Sequence, residues 1–185
     1  GKQVDEKRVI SSVSRCLNPY DPQGYKDMME LAVSDDLEYV VSNTTEAGSV
    51  FDDSCKLGDQ PPSSFPGKLA QVLFARFKAG KSGLVILSCE LIDNNGKELL
   101  KCVKQYAQLW NLGAEFEKWL DDECTFCSTL VDRIVPGRIR YEKEVEKLEA
   151  ENVYTDPLID VGKIFSVWNI EDPEWLEDKL PFKKS

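Results

Sequence analysis

The sequence predicts a layered α/β fold with at least two parallel strands in one sheet. Strand-length apolar runs alternate along the chain with segments of helical periodicity, which is the pattern of β-α-β units. One run, GLVILSC at residues 83–89, is continuously apolar up to Ser88, as in a strand buried on both faces of a parallel sheet. With 185 residues and 42% hydrophobic side chains, the chain has the size of one domain and can form a substantial core.

The first third of the chain contains two predicted strands, one helix and a long loop. Apolar residues alternate over residues 7–17, which predicts a strand, and residues 37–41 predict a second strand. Asp21 and Pro22 occupy helix-start positions before a short helix at residues 25–33. The segment FDDSCKLGDQPPSSFPG has no period, so it predicts a long loop, and long loops in compact domains are often functional.

Helices dominate the rest of the chain. A helix begins near Ser64, with Pro66 in its first turn, and ends at Gly80. After the strand at residues 83–89, residues 93–96 form a turn or a helix cap. The remaining predicted elements are helices at residues 99–110, 116–120 and 141–152, a strand at 164–170 and a helical turn at 175–180.

Charge and composition exclude several classes of protein. The formal net charge is −10 and the pI is about 4.6, which argues against nucleic acid or an anionic membrane as a partner, because both attract basic surfaces. No apolar run has the length of a membrane span and no secretory segment is present, so we expect a cytoplasmic protein with its six cysteines reduced. The absence of histidine removes the commonest general base and the commonest metal ligand.

Polar side chains follow two of the predicted strands at the point where each strand ends. The segment VVSNTTEAG changes abruptly from an apolar strand to small hydrogen-bonding side chains and one carboxylate, and CELIDNNG ends the next strand. Ligands bind at the carboxyl ends of the strands in open α/β sheets. Two interpretations remain open here: a site for a ribose, a phosphate or a polyol, or ordinary helix caps and turns. The side chains concerned are Ser42, Asn43, Thr44, Thr45, Glu46, Glu90, Asp93 and Asn95.

Four motifs give the chain a family resemblance. VSNTTEAG, PPSSFPGKL, CELIDNNG and above all FCSTLVDRIVPG, at residues 126–137, are similar to motifs of the polyol-specific long-chain dehydrogenases, the mannitol dehydrogenase family. The similarity runs from about residue 7 to at least residue 170. It is closest to the branch of the family that interconverts the sugar acids tagaturonate and altronate.

The resemblance implies an oxidoreductase that transfers a hydride between NAD and tagaturonate or altronate without a catalytic metal. It implies that residues 1–185 are the later part of an N-terminal NAD-binding domain: a partial Rossmann-like parallel sheet between two helical layers, lacking the first strand and the glycine-rich phosphate turn of the family. The family's catalytic lysine lies in a C-terminal domain that has no counterpart here. We therefore expect this chain to be inactive alone and to depend on the rest of its own polypeptide.

The resemblance also assigns roles to residues at the first strand end. Ser42, Asn43, Thr44 and Thr45 match strand-end residues that bind the cofactor, with the two threonines beside its nicotinamide half. Glu46 matches a glutamate near the nicotinamide and the proton path, which gives it a supporting catalytic role.

Two further matches concern the substrate side of the site. Asp132 and Arg133 match the signature pair of the family, in which a buried, ionised Asp132 beside Arg133 would orient the catalytic lysine, with Arg133 contacting the substrate. One position departs from the mannitol branch, because Leu91 stands where an asparagine polarises the reacting carbonyl. We expect Asn95 to take over that catalytic role or Asp93 to contact the substrate instead, unless the role lies elsewhere.

A second hypothesis is a self-sufficient α/β module for binding or thiol redox chemistry. Cys124 and Cys127 have the spacing of a redox motif or of half a zinc site. No second cysteine pair of matching spacing and no histidine accompany them, so we expect no metal site. On the family interpretation, Cys127 packs as a small apolar side chain.

Overall fold

The fold is built on a four-stranded sheet that carries helices on both faces. A computed structural model describes residues 6–171 and 173–180. The helices are α1 (Pro22–Ala32), α2 (Phe65–Lys78), α3 (Asn95–Leu109), α4 (Ala114–Glu123), α5 (Glu142–Asn152) and α6 (Glu174–Glu177). The strands are β1 (Tyr39–Ser42), β2 (Val85–Ser88), β3 (Thr125–Asp132), β4 (Gly137–Arg138), β5 (Asp160–Val161) and β6 (Val167–Glu171), and a 3₁₀ turn covers Glu46–Gly48.

The main sheet has the strand order β1-β2-β3-β6. The first three strands are parallel, with Ser42, Ser88 and Ser128 aligned in one row, and β6 runs antiparallel to β3. Helix α2 connects β1 to β2, and α3 and α4 connect β2 to β3. The predicted alternation of strands and helices around a parallel sheet is therefore confirmed, with three parallel strands where at least two were expected.

The two faces of the sheet are covered unequally. Ile86 and its neighbours on one face share a large core with α2, α3 and α4. On the other face, Leu87 and Cys127 pack with Leu176 of the short helix α6 in a much smaller cluster. The expected second helical layer is thus limited to α6 in the part of the chain that the structure describes.

The structure differs from the strand predictions in two places: one predicted strand does not form, and one observed strand was not predicted. Residues 7–17 form no strand, and Val9, Ile10 and Val13 are 64–78% exposed. Alternating apolar residues become a strand only beside a sheet edge, and within the described residues this segment pairs with none. Conversely, β3 is the longest strand of the sheet, and the apolar pattern did not predict it because Thr125, Ser128 and Thr129 interrupt its hydrophobic side chains.

The long loop between β1 and α2 is held by α3. The Tyr106 hydroxyl accepts a hydrogen bond from the Asp52 N–H (2.9 Å) and lies 2.7 Å from the hydroxyl of Ser64, the N-cap of α2. The Trp110 indole donates to the carbonyl of Cys55 (3.0 Å). Burial raises the pKa of Tyr106 to about 12, so this hydroxyl keeps its proton. These contacts fix the loop to α3, and the expectation that the loop is functional stays a prediction.

Arg76 of α2 holds the start of the fold together. Its guanidinium is almost fully buried and donates to four carbonyl oxygens at 2.7–2.9 Å. Those carbonyls belong to Ala32, Ser34, Leu37 and Ser82, so one side chain joins the end of α1, the approach to β1 and the turn before β2. Such buried carbonyls need partners, because leaving them unpaired costs free energy.

Replacing Arg76 should destabilise the fold strongly. Arg76→Met keeps the apolar stem but leaves the four carbonyls unpaired, so we expect the free energy of unfolding to fall by about 2–4 kcal/mol. Lys78→Met, on an exposed position of the same helix, should change it by less than about 0.5 kcal/mol. Urea unfolding followed by circular dichroism measures both. Equal stabilities for the two variants would contradict the role given to Arg76.

Candidate functional site

A cleft of about 590 Å³ lies at the carboxyl ends of the three parallel strands. Its walls come from the segment after β1, the end of β2 and the second half of β3. Clefts of this size and position are typical of ligand sites in α/β proteins. The lining residues are Asn43, Thr44, Thr45, Glu46, Ala47, Cys89, Glu90, Leu91, Thr129, Leu130 and Val131.

Glu90 connects the ends of β1 and β2. Its carboxylate is 3% exposed and accepts hydrogen bonds from the Ser42 hydroxyl (3.0 Å) and the Thr44 N–H (3.1 Å). The Thr44 hydroxyl lies 3.4 Å from Oε1 of Glu90, the oxygen that accepts from the Thr44 N–H. The parallel ladder ends at Ser42 and Ser88, so these side-chain bonds continue the connection between the two strands beyond the sheet.

Asn95 connects the ends of β2 and β3. Its amide nitrogen donates to the carbonyls of Glu90 (2.9 Å) and Thr129 (2.8 Å), and its amide oxygen accepts from the N–H groups of Thr129 (2.9 Å) and Gly96 (2.9 Å). Both amide protons are therefore used, and Asn95 is buried. It cannot also donate to a carbonyl group of a substrate, so the expected carbonyl-polarising role is wrong for this arrangement.

The loop after β1 forms the most polar wall of the cleft. Thr45 caps the 3₁₀ turn, with its hydroxyl accepting from the Gly48 N–H (3.2 Å). Asn43, Thr45 and Glu46 are exposed and border the cleft, while Thr44 is partly buried. Four of the five expected strand-end residues therefore lie together on one wall. The fifth, Ser42, is buried and faces Glu90 instead of the cleft.

The three residues expected on the substrate side do not border the cleft. Asp93 is exposed in the turn before α3. Asp132 and Arg133 are exposed at the end of β3, and the Arg133 side chain donates to the carbonyl of Lys163 (3.1 Å). The expected buried Asp132–Arg133 pair is therefore wrong for this chain, because both residues are exposed.

The sequence interpretation missed the contribution of β3 and the function of Glu90. Thr129, Leu130 and Val131 line the cleft, and Thr129 also donates its hydroxyl to the carbonyl of Ser88 (2.6 Å). The motif FCSTLVDRIVPG indicated that this segment matters, but without a predicted strand nothing placed it at the sheet edge. The sequence placed Glu90 among the polar residues at the strand ends but assigned no role to it.

Sequence comparison assigns the chain to a family. Residues 1–184 match the mannitol dehydrogenase Rossmann domain. The chain belongs to the mannitol dehydrogenase family. It is 43% identical, over its whole length, to altronate oxidoreductase of Bacteroides thetaiotaomicron, and 43% identical over 98% of its length to altronate oxidoreductase of Bacillus subtilis. It spans 39% and 38% of the lengths of these two relatives.

Two solved structures are similar to the chain in fold. A D-sorbitol dehydrogenase in substrate-free form is similar with a TM-score of 0.67 and 26% identity, over 84% of this chain and 33% of that one. Mannitol 2-dehydrogenase of Pseudomonas fluorescens, in a ternary complex with NAD and D-mannitol, has a TM-score of 0.71 and 24% identity, over 89% and 35%. The second likeness supports the Rossmann-like fold alone.

Cys124 and Cys127, the two cysteines of the thiol redox hypothesis, lie on opposite faces of the sheet. Cys124 belongs to the large core and Cys127 to the small cluster on the other face, and both are buried. Burial raises the pKa of Cys124 to about 11, which disfavours the thiolate that redox chemistry needs. Cys127 packs as a small apolar side chain, as expected.

Across residues 6–171 and 173–180, no group of three or more His, Cys, Asp or Glu side chains is arranged to hold a metal ion. None of the helices in the same residues is long and apolar enough to cross a membrane.

Alkylation tests the environment of the cysteines. With a pKa of about 11, only about one in a thousand Cys124 side chains is ionised at pH 8. We therefore expect iodoacetamide to label the exposed Cys16 of the folded protein well before Cys124 or Cys127, and to label all three in urea. Mass spectrometry of the peptides measures this order. Rapid labelling of folded Cys124, or a Cys124–Cys127 disulfide after mild oxidation, would contradict it.

Proposed function

We propose that this chain is the later part of the NAD-binding domain of an altronate oxidoreductase, which interconverts tagaturonate and altronate. The observation that supports this most is the 43% identity to altronate oxidoreductases over essentially the whole chain. The position of the cleft, at the carboxyl ends of three parallel strands, supports the same assignment on physical grounds.

The residues of the cleft fit the nicotinamide half of the proposed cofactor. The volume of about 590 Å³ is enough for a flat ring with its ribose, and Leu130 and Val131 offer an apolar surface to the ring. Asn43, Thr44 and Thr45 offer amide and hydroxyl groups for ribose and carboxamide. When bound, NADH supplies a hydride to the carbonyl carbon of tagaturonate, and NAD accepts it back from altronate.

Glu46 is the proposed link between the site and solvent. Its carboxylate is exposed at the edge of the cleft, directly after Thr45. The carbonyl oxygen of tagaturonate must gain a proton as its carbon gains the hydride, and the reverse reaction releases that proton. A carboxylate at the cleft edge can pass this proton to and from water. Glu46 is thus a proton-relay group in this proposal, with the direct acid or base on the rest of the polypeptide.

Asp132 and Arg133 are proposed to meet the rest of the polypeptide. Both are exposed at the end of β3, next to the cleft wall formed by Leu130 and Val131. The apolar residues Ile134 and Val135 follow them in the chain, and the Arg133 side chain donates to the carbonyl of Lys163, which precedes Ile164 and Phe165. These four apolar residues are 51–66% exposed. In this proposal a second domain covers this surface, where Asp132 orients the catalytic lysine and Arg133 contacts the sugar-acid carboxylate.

The test of the proposed function is a substrate comparison on the full-length polypeptide that contains this chain. We expect NADH oxidation with tagaturonate. The kcat/KM for tagaturonate should be at least about 100-fold higher than for the neutral ketose fructose, because fructose has no carboxylate and would leave the charged group of the site without its partner. Absence of NADH oxidation with tagaturonate, or a preference for fructose, would overturn the proposal.

Asp132 provides a more specific test in the same protein. If Asp132 orients the lysine, Asp132→Asn should lower kcat by about 100-fold or more and leave the NADH affinity unchanged. The melting temperature is measured on the same samples, because a purely structural role would lower the melting temperature and leave the kcat of the folded protein unchanged. Asp53→Asn, at an exposed position in the long loop, is the matched control. Wild-type kcat in Asp132→Asn would show that Asp132 has no part in the reaction.

A further inference from the structure

We propose that Glu90 is a positioning residue that holds the cofactor-binding loop, residues 43–47, in place through the reach of its side chain. This inference rests on the proposed function, because it concerns the same cleft. No family match gives Glu90 this role, and its basis is the set of contacts at the end of β2. Within CELIDNNG, Glu90 contacts the loop directly, and Asn95 supports Glu90 from the backbone of β3.

Two hydrogen bonds join Glu90 to the end of β1 and to the loop that follows it. The two carboxylate oxygens of Glu90 accept from different points of the neighbouring segment, one from the Ser42 side chain (3.0 Å) and one from the Thr44 backbone (3.1 Å). Ser42 is the last residue of β1, and Thr44 is the second residue beyond it. The carboxylate therefore fixes both the end of the strand and the direction in which the loop leaves it.

Glu90 and its partner Ser42 are both buried. Glu90 is 3% exposed and Ser42 is 2% exposed, so water competes little for these bonds. A buried carboxylate is retained only where it is well hydrogen-bonded, because its desolvation is otherwise costly. The carboxylate of Glu90 is thus bound to the end of β1 and to the loop, and Glu90 also lines the cleft.

Glu90 is itself held in place by Asn95. The Glu90 carbonyl accepts from the Asn95 amide (2.9 Å), and Asn95 is bound in turn to the backbone of Thr129 on β3. The loop after β1 is therefore connected through Glu90 and Asn95 to the central strands of the sheet. A loop held in this way loses little conformational freedom when a cofactor binds, which favours affinity.

Three substitutions of Glu90 in the full-length polypeptide separate the effect of side-chain length from the effect of its charge. Gln has the length of Glu, and it can accept from the Thr44 N–H and donate to the Ser42 hydroxyl. Asp keeps the charge, but it is one methylene shorter, and the bonds at 3.0 and 3.1 Å leave no room for that loss. Ala removes both bonds. Glu115→Gln, at an exposed position on α4, is the matched control.

The measurement is the Kd for NADH from a fluorescence titration, with the melting temperature of each variant. We expect Glu90→Gln to stay within about threefold of wild type, and Glu90→Asp and Glu90→Ala to raise the Kd by about tenfold or more. Glu115→Gln should match wild type. The reverse order, with Asp retaining affinity and Gln losing it, would overturn the proposal, because charge and not reach would then matter. An unchanged Kd in folded Glu90→Asp and Glu90→Ala would overturn it too.

A further variant covers the case in which Glu90→Ala and Glu90→Asp do not fold. Ser42→Ala keeps the carboxylate and removes one of its two partners, so it should raise the Kd for NADH by about three- to tenfold. A wild-type Kd in this variant would then contradict the proposal. If wild-type protein binds no NADH at all, it is the proposed function that fails, and the two failures are thereby distinguished.

Discussion

The backbone at the carboxyl edge of the sheet has to be satisfied by side chains, and the site depends on how this is done. The ladder of parallel hydrogen bonds ends at Ser42 and Ser88, where the strands separate to form the cleft. Polar backbone groups near this point are buried and need partners. Asn95 supplies them between β2 and β3, and Glu90 supplies them between β2 and β1. The cleft keeps its shape because these two side chains replace the missing ladder.

Helix α3 is placed by the same contacts. Asn95 and Gly96 begin this helix, and an added Cβ at Gly96 would lie 2.5 Å from the carbonyl carbon of Cys127. Only glycine allows the helix to approach β3 so closely. The approach lets Tyr106 and Trp110, farther along α3, reach the long loop. One short motif, CELIDNNG, therefore fixes the site and the packing of α3 together.

The sequence allowed the helices and the buried parallel strands to be predicted because periodicity and helix-start residues carry that information. Ser64 and Pro66 mark the start of α2, and the apolar run before Ser88 marks β2. Strand β3 could not be predicted in this way, since its hydroxyl side chains serve the cleft and the neighbouring backbone. At the site, the sequence located Asn43, Thr44, Thr45 and Glu46 correctly at one wall. It could not show that Ser42 and Asn95 point into the structure, because that depends on the register of three strands.

The most direct test of the account is a crystal structure of the full-length polypeptide with NADH bound. The account predicts the nicotinamide ring in the cleft, within about 4 Å of Thr44 or Thr45 on one side and of Leu130 or Val131 on the other. It also predicts Glu90 still bonded to Ser42 and Thr44. A nicotinamide ring bound away from the ends of β1, β2 and β3 would contradict the account.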